Sequence, residues 1–507
     1  MTATTPAPLP HHLHLRRMGI DTYQEPVLYT HRDCPVCLSE GFEAQSRVEV
    51  RLNGRAIVAT LNVVDGNLLT PGEGGLSEAA WRLLGAKDGD EASVRHPPPL
   101  ESLGHVRAKV YGRRLTAAAL DAVIHDVAAG RYSDLQLAAF VTACAGDHLD
   151  LDETIALTRA MVNAGDRIDW GPGMVMDKHC VGGLPGNRTT MIVVPIVAAQ
   201  GLRMPKTSSR AITSPAGTAD TMETVAPVAL DVAAIRRVVE RTGGCIVWGG
   251  AVRLSPADDI LIRVERPLDL DSQGQLVASV LSKKTAAGAT HVVIDMPVGP
   301  TAKVRSAEAA HVLARQLVRV GEAMGLKVQV RQTDGQAPVG RGIGPALEAR
   351  DVLAVLRGEF GAPRDLADRS VFLAGELLEM AGAPRGQGLA LAAATLADGR
   401  AWRKFQEICE AQGGLRTPPV APFRRDITTA RSGFVLGIDN RRLARIAKLA
   451  GAPKVACAGI DLHVRIGDFV ERGQPLYTLH AGSPGALDYA AEYALTQAST
   501  VLVAEDA

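Results

Sequence analysis

The chain has 507 residues, of which 55 are basic and 55 acidic, so its formal net charge at pH 7 is zero. This length predicts two to four domains, and the balanced charge gives no reason to expect nucleic acid as a partner. No apolar run approaches the length of a membrane span. Seven cysteines in so long a chain do not indicate a disulfide framework, so we expect a reduced, cytoplasmic protein.

Residues 1–39 are expected to form a flexible N-terminus, because they begin proline-rich and lack the apolar core of a signal peptide. Within them, Cys34 and Cys37 form a CxxC pair, which can bind zinc or exchange disulfides. Zinc needs four ligands, and His31 could supply only a third. We therefore interpret the pair as structural or adventitious thiols and predict no metal site.

Residues 40–98 are predicted to form a β-rich N-terminal domain. Residues 47–52 alternate apolar and polar side chains, Asn53-Gly54 is typical of a type I′ hairpin, and residues 56–64 return as the second strand. Consecutive prolines then mark a stiff linker.

Residues 105–170 are predicted to form a helical lobe. Apolar side chains fall on one face at helical spacing at Leu120, Val123, Ile124 and Val127. Capping boxes mark where further helices begin, at Ser133 with Gln136 and at Asp150 with Glu153.

A glycine-rich turn follows a lysine and a histidine in residues 177–187, which read Asp-Lys-His-Cys-Val-Gly-Gly-Leu-Pro-Gly-Asn. Its glycines let the backbone turn tightly and approach a ligand. The spacing in the apolar run 191–202 does not decide between strand and helix. If the run is helical, Asn187 is a good N-cap, and the free N–H groups at the helix start attract an anion.

A second cluster, residues 206–218, is crowded with hydroxyl and cationic side chains. With the glycine-rich turn, it is typical of a site for an oxyanion, most often phosphate. The chain has no Gly-x4-Gly-Lys-Ser/Thr pattern, and no Gly-x-Gly-x-x-Gly follows a clear strand. The anion is therefore expected to be a small substrate rather than part of a dinucleotide.

Regions 171–250 and 288–420 alternate apolar strands with helices. Strands are expected at 291–295 and 328–330, with a helix between them that Ser306 caps. This alternation predicts a mainly parallel sheet covered on both faces, with ligands beyond the carboxyl ends of the strands.

Residues 425–507 are predicted to form a β-rich C-terminal domain. Residues 466–476 are similar to the hairpin of biotinyl and lipoyl carrier folds. A carrier needs an exposed lysine at the hairpin tip, and no lysine follows Lys454. We therefore interpret this region as a structural β module.

Four motifs together resemble the thymidine and pyrimidine-nucleoside phosphorylase family. They are Asp177-Lys178-His179-x-x-Gly182-Gly183, Ser208-Ser209-Arg210, Gly217-Thr218-x-Asp220 and Ser279-x3-Lys283-Lys284. The amino-acid sequence at 183–187 and 207–220 is more similar to the AMP phosphorylase branch. The resemblance runs from about residue 40 to the C-terminus.

The resemblance implies an α/β multidomain fold of the nucleoside phosphorylase or phosphoribosyltransferase type. The helical lobe would also take in about residues 255–287, and a mainly parallel α/β domain would hold phosphate. β-rich domains would lie at both ends of the chain. Helices of the lobe form the dimer interface in this family, so a homodimer is implied.

The implied reaction is phosphorolysis of an N-glycosidic bond. Orthophosphate, a co-substrate rather than a cofactor, would convert a nucleoside to free base and (deoxy)ribose 1-phosphate, as in a thymidine phosphorylase. The transition state would be oxocarbenium-like. Because the departing base gains negative charge, it needs a hydrogen-bond or proton donor. No cofactor is implied.

Three alternatives remain open from the residues. A nucleoside 5′-monophosphate such as AMP could be the substrate, giving ribose 1,5-bisphosphate. An anthranilate phosphoribosyltransferase, which has the same fold, would need a pyrophosphate site with metal-binding acids, and no matching acidic pair lies by the glycine turn. An inactive scaffold or binding protein is the third alternative. The only hint of it is Cys180, which stands where the family has a serine that donates a hydrogen bond to phosphate.

The resemblance also implies roles for individual residues. Phosphate would be held by the side chains and backbone of Lys178, Cys180, Gly182, Gly183, Thr190, Ser208 and Thr218. The base would meet His179, Ser279 and Lys283, and Lys283 would neutralise or protonate it as it leaves. A thiol is a weaker donor than a hydroxyl, so Cys180 could lower phosphate affinity.

Some roles have more than one candidate. Arg263 and Arg266 both lie near the position of the family's base-binding arginine, and neither spacing fits cleanly. Asp271, with Asp269 beside it, matches the acidic proton donor of the AMP branch and equally well a solvated turn. Ser209, Arg210, Thr213 and Ser214 could bind the 5′-phosphate of a nucleotide. Lys303 resembles a lysine that contacts the substrate in the AMP branch.

Overall fold

The computed structural model describes residues 12–211, 214–268, 270 and 272–504. They fall into two compact units, Met1–Cys144 and Ala145–Ala507. Among these residues, no helix is both long enough and apolar enough to cross a membrane.

The first unit opens with a closed barrel, whose strands run in the order β1-β5-β2-β4-β3-β6. Its elements are β1 (His12–Arg17), β2 (Val27–His31), α1 (Pro35–Glu40), β3 (Arg47–Leu52), β4 (Arg55–Val64), β5 (Glu73–Leu76), α2 (Glu78–Leu84) and β6 (Glu91–Arg95). The predicted hairpin is confirmed, since Asn53 and Gly54 have φ of 48° and 79°.

The expected flexible N-terminus is wrong for residues 12–39, which supply two barrel strands and a helix. In β1, Leu13 and Leu15 alternate with polar residues and are only 1% and 2% exposed, so the strand is fixed by core burial. Residues 1–11 lie outside the described part.

Cys34 and Cys37 are both buried in the barrel core. Cys34 caps α1, because its Sγ accepts a hydrogen bond of 3.3 Å from the backbone N–H of Cys37. This contact supports the structural interpretation of the pair. Among the described residues, no three or more His, Cys, Asp or Glu side chains are grouped to hold a metal ion.

The expected helical lobe is divided between the two units. Helices α3 (Leu103–Val110), α4 (Ala117–Ala128) and α5 (Asp134–Ala143) complete the first unit, whereas α6 (Leu151–Asn163) belongs to the second. The division falls there because α6 packs on a helix of the second unit, Gln273–Ala286. Both predicted capping boxes are present, at the starts of α5 and α6.

The second unit contains a parallel sheet. Strands β7 (Met176–Cys180), β10 (His291–Val298) and β11 (Lys327–Asp334) pair in the order β11-β10-β7, and β8 (Met204–Ser208) pairs with β9 (Gly244–Trp248). A parallel bridge from Val175 to Arg203 joins β7 to β8. The predicted parallel sheet is therefore confirmed, with longer strands than the sequence indicated.

Helices cover both faces of this sheet. They are α7 (Thr190–Ala199), α8 (Thr218–Glu223), α9 (Val232–Thr242), α10 (Pro256–Leu268), α11 (Gln273–Ala286), α12 (Ala307–Ala323), α13 (Pro345–Arg357), α14 (Arg364–Met380), α15 (Gly388–Ala397) and α16 (Arg400–Gln412). In β10, Val293 packs with α7, α14 and α16, whereas Val292 and Ile294 pack with α11 and α12.

The apolar run 191–202 is largely helix α7. Its spacing was uninformative because every residue from Met191 to Val197 is buried, including Pro195 inside the helix. The expectation that Asn187 caps this helix is wrong. The N-cap is Thr189, and Asn187 has a φ of 54° within the preceding turn.

The C-terminal region has the predicted β-rich character and also contains helices that the sequence analysis did not predict. Its elements are β12 (Gly342–Ile343), β13 (Phe423–Thr428), β14 (Gly433–Ile438), α17 (Asn440–Leu449), β15 (Gly459–Leu462), β16 (Phe469–Val470), β17 (Pro475–Ala481), α18 (Pro484–Thr496) and β18 (Val501–Ala504). The strands form two antiparallel sheets, β12-β15-β17-β13 and β16-β14-β18.

Candidate active site

The candidate site lies at the carboxyl ends of β7 and β8, where the glycine-rich turn follows β7. Gly182, Gly183 and Gly186 have φ of 98°, 82° and 69°, a region that glycine adopts without strain. A Cβ on Gly183 would lie 2.4 Å from the backbone nitrogen of Lys303. The turn therefore requires glycine there, and it brings the Lys303 backbone to the site.

Lys178 is fully buried at the centre of this region. Its Nζ donates a hydrogen bond of 2.6 Å to Thr189 Oγ1 and lies 3.7 Å from Asp295 Oδ2. Asp295 also accepts from Asn187 Nδ2 at 3.2 Å. The neighbouring hydroxyl is thus that of Thr189, while the predicted Thr190 is the first residue of α7 and is also buried.

Ser208 ends β8 and has a buried hydroxyl. Its Oγ has no hydrogen-bond partner among the residues that the structure describes. Buried hydroxyls in folded proteins are nearly always bonded, so an orphan donor of this kind indicates a position for a ligand.

Thr218 begins α8, and Arg188 reaches it from the glycine-rich turn. Arg188 Nη1 donates to Thr218 Oγ1 at 3.0 Å and Nη2 donates to the Ala216 carbonyl at 3.1 Å. Arg188 Nε lies 2.5 Å from Glu348 Oε2 and 3.1 Å from the Gly186 carbonyl. Sequence reasoning missed Arg188 and Glu348.

Cys180 lies beside the buried charges of the turn. Its Sγ accepts a hydrogen bond of 3.3 Å from Asn187 Nδ2. Burial and then the charge of Asp295 raise the pKa of the Cys180 thiol to about 12. The thiol is therefore neutral at physiological pH.

Asp177 pairs with two buried lysines, Lys206 at 3.1 Å and Lys284 at 2.8 Å. Burial alone would raise the pKa of Asp177, but the two ammonium charges hold it below its usual value. Burial and then the lysine charges lower the pKa of His179 well below its ordinary value. His179 is therefore a neutral imidazole that can bond a ligand without adding charge.

Ser279 and Lys283 lie one turn apart on α11, so both project from one side of the helix. Lys283 Nζ lies 2.5 Å from Oδ2 of Asp258, a carboxylate that is 2% exposed. Burial would lower the pKa of Lys283, but Asp258, Asp259 and Glu265 raise it overall. Lys283 is therefore held as an ammonium, by α10 carboxylates that sequence reasoning missed.

Two of the expected 5′-phosphate ligands, Arg210 and Ser214, are bonded to other protein groups. Arg210 forms a bidentate pair with Glu223 at 2.6 and 2.9 Å, and its guanidinium lies 4.9 Å from the ring centroid of Trp248. Ser214 Oγ donates to the Ala216 carbonyl at 2.8 Å. Ser209 is exposed.

Several predicted residues are not placed by the structure. Thr213, Asp269 and Asp271 lie outside the described residues, as does the side chain of Arg266. Arg263 is half-buried on α10, and Lys303 is exposed. The roles expected for these residues stay predictions.

Three family models match the chain. "Glycosyl transferase family, helical bundle domain" matches residues 105–165, "Glycosyl transferase family, a/b domain" matches 172–402, and "Pyrimidine nucleoside phosphorylase C-terminal domain" matches 434–500. They confirm the predicted combination of a helical domain with an α/β domain.

Two relatives named "Putative thymidine phosphorylase" match almost the whole chain. The protein from Polaromonas sp. (strain JS666 / ATCC BAA-500) is 77% identical over 509 residues, 99% of this chain and 100% of its own. The protein from Hahella chejuensis (strain KCTC 2396) is 58% identical over 496 residues, 98% of each chain. Anthranilate phosphoribosyltransferase from Thermus thermophilus aligns with 61% of this chain and 98% of its own, at 23% identity and a TM-score of 0.49.

Proposed function

Since the chain belongs to the thymidine phosphorylase family, we propose that it cleaves the N-glycosidic bond of a nucleoside with orthophosphate. The products are a free base and (deoxy)ribose 1-phosphate, as for a thymidine phosphorylase. An orthophosphate oxygen attacks the anomeric carbon as the C–N bond breaks. The electron pair of that bond leaves with the base.

The observation that carries the proposal is the orphan hydroxyl of Ser208. It is a buried donor at the same sheet edge as the buried ammonium of Lys178 and the glycine-rich turn. A hydroxyl, an ammonium and free backbone N–H groups are the donors that bind phosphate. Orthophosphate bound there would also stabilise the developing oxocarbenium ion by its own charge.

Lys283 meets the charge that develops on the departing base. An ammonium held beside a buried carboxylate stabilises an anionic leaving group and can give it a proton. The neutral His179 is available to bond the base, and it adds no charge that would compete with Lys283.

A nucleoside is favoured over a nucleoside 5′-monophosphate. A 5′-phosphate needs a cationic or polar partner, and Arg210, the only cation among the expected 5′-phosphate ligands of residues 209–214, is already paired with Glu223 and Asp220. Breaking a bidentate ion pair to bind substrate would oppose binding.

The remaining sequence expectations belong to the same proposal. The reaction as written uses only protein groups and orthophosphate, without a metal or organic cofactor. The homodimer implied by the family resemblance and the cytoplasmic location expected from the cysteine content also stay proposals.

The test is a panel of nucleosides and nucleoside 5′-monophosphates incubated with purified protein, with released base measured by liquid chromatography. We expect release that depends on added orthophosphate, and a loss of at least about a hundredfold in kcat for Lys283→Ala. No phosphate-dependent base release from any compound would contradict the proposal. Faster release from monophosphates than from their nucleosides would shift it to the alternative substrate class.

A further inference from the structure

Arg188 joins three segments of the proposed phosphate site. Its guanidinium donates to the carbonyl of Gly186 in the glycine-rich turn, to the carbonyl of Ala216, and to the hydroxyl of Thr218. The side chain is 12% exposed and is paired with Glu348, which is 1% exposed. Each of its three nitrogens thus makes at least one contact within the protein.

We propose that Arg188 is a positioning residue, which orients the Thr218 hydroxyl so that its proton is available to orthophosphate. The inference rests on the proposed function, because it assigns a task within the proposed phosphate site.

The orientation follows from the donor inventory of the two groups. A guanidinium can only donate, so Thr218 Oγ1 must be the acceptor in the 3.0 Å bond. A hydroxyl that accepts from Arg188 keeps its single proton for another acceptor. The orthophosphate of the proposed function is the acceptor that we assign to this proton.

Glu348 occupies the Nε edge of the Arg188 guanidinium. Its carboxylate lies 2.5 Å from Arg188 Nε, and it also accepts from Thr221 Oγ1 at 3.1 Å and Gly344 N at 3.2 Å. The Nε–H of Arg188 is therefore shared between Glu348 and the Gly186 carbonyl and is not directed at a ligand. The geometry points to orientation, and not to net charge, as the contribution of Arg188.

The test is a double-mutant cycle on Arg188→Lys and Thr218→Val. Lysine keeps the charge but cannot supply the fork of donors that spans several acceptors. We expect each single variant to raise the KM for phosphate about tenfold, the order for one hydrogen bond to a charged group. The KM for the nucleoside should change little. The KM for phosphate of the double variant should not exceed that of the single variant with the higher value.

Arg203→Lys is the matched control. Arg203 is also partly buried and donates to a carbonyl, that of Trp170, at 2.6 Å, but it precedes β8 at the opposite end of the strand. Its KM for phosphate should stay at the wild-type value. If Arg188→Lys does not fold, Arg188→Met combined with Glu348→Gln removes both buried charges and replaces it in the cycle.

The same cycle is measured by the rise in melting temperature that phosphate produces, which needs no turnover. A wild type that phosphate stabilises but that releases no base contradicts the proposed function alone. Multiplicative effects of the two substitutions, or equal increases in both KM values, overturn the positioning role. Absence of any stabilisation by phosphate overturns both.

Discussion

At the residue scale, the charge on Lys283 is set by its neighbours on α10. Asp258 lies 2.5 Å away and, with Asp259 and Glu265, raises the pKa of Lys283 against the opposing effect of burial. An ammonium in a partly desolvated site stabilises a leaving anion far better than a neutral amine does. We therefore expect catalysis to depend on Asp258 through its effect on Lys283.

Asp258→Asn removes the nearest charge that keeps Lys283 protonated. Burial then dominates, so the pKa of Lys283 falls and the amine loses its proton at a lower pH. We expect kcat to drop, and the alkaline limb of the kcat–pH profile to move to lower pH, measured on the nucleoside that the panel identifies.

Asp259→Asn is the control for this shift. Asp259 is exposed and adjacent in sequence, and its effect on the pKa of Lys283 ranks below that of Asp258. Its variant should show a much smaller displacement. An alkaline limb that stays in place in Asp258→Asn would show that Asp258 does not set the charge of Lys283.

Ser208→Ala tests the orphan hydroxyl. Because Ser208 Oγ has no partner among the described residues, its removal breaks no internal hydrogen bond. We therefore expect the melting temperature to stay level or rise, while the KM for phosphate rises about tenfold.

Ser370→Ala gives the opposite pattern and serves as the comparison. Ser370 is also buried, but its Oγ donates to the Leu366 carbonyl at 2.6 Å, outside the candidate site. This variant should lose stability and keep its KM for phosphate. An unchanged KM in Ser208→Ala would remove Ser208 from the phosphate site.

At the element scale, the glycine-rich turn and the start of α7 act together. Other segments pack closely against the glycines of the turn. A Cβ on Gly186 would lie 2.1 Å from the Val339 carbonyl oxygen, and one on Gly183 would contact Lys303. Helix α7 then begins at Thr190, with Thr189 bonded to Lys178. The short turn thereby brings the ammonium of Lys178 next to the hydroxyl of Thr189.

Gly183→Ala should damage this turn. Its φ of 82° alone costs a side chain about 1 kcal/mol, and the added Cβ would lie 2.4 Å from a backbone nitrogen that cannot move aside easily. We expect a fall in melting temperature together with a large loss of kcat/KM for phosphate.

Gly201→Ala separates the two causes. Gly201 has a similar φ of 79°, but a Cβ there has nothing within 4 Å. The Gly201→Ala variant should lose only the stability that the positive φ costs, and it should keep its activity. Equal losses in both variants would show that the contact with Lys303 is unimportant.

At the scale of the whole molecule, the proposed phosphate ligands all lie in residues 145–507, whereas the barrel belongs to the other unit. Phosphate should slow amide hydrogen exchange in peptides that cover 178–190 and 206–218. Peptides from the barrel should be unaffected. Mass spectrometry of exchange with and without phosphate measures this, and protection confined to other segments would contradict the proposed location.

Local features of the candidate site were predictable from the sequence. Glycines at 182 and 183 occupy left-handed backbone conformations that other residues rarely adopt. The motifs around Lys178 and Lys283 are short, so they can be recognised without knowledge of the fold. The parallel sheet and the helix before β11 followed from the alternation of apolar segments. Helix α7 could not be assigned, because a segment buried on every side has no periodic pattern.

Only the tertiary structure decided which groups pair. Lys283 and Lys284 are adjacent, yet one pairs with Asp258 and the other with Asp177. Likewise, Arg210 pairs with both Asp220 and Glu223, which the sequence analysis did not predict. The sequence determined the parts of the site because backbone conformation and side-chain chemistry are local properties. The pairing of charges depends on which elements pack on each side, and that is settled only when distant segments fold together.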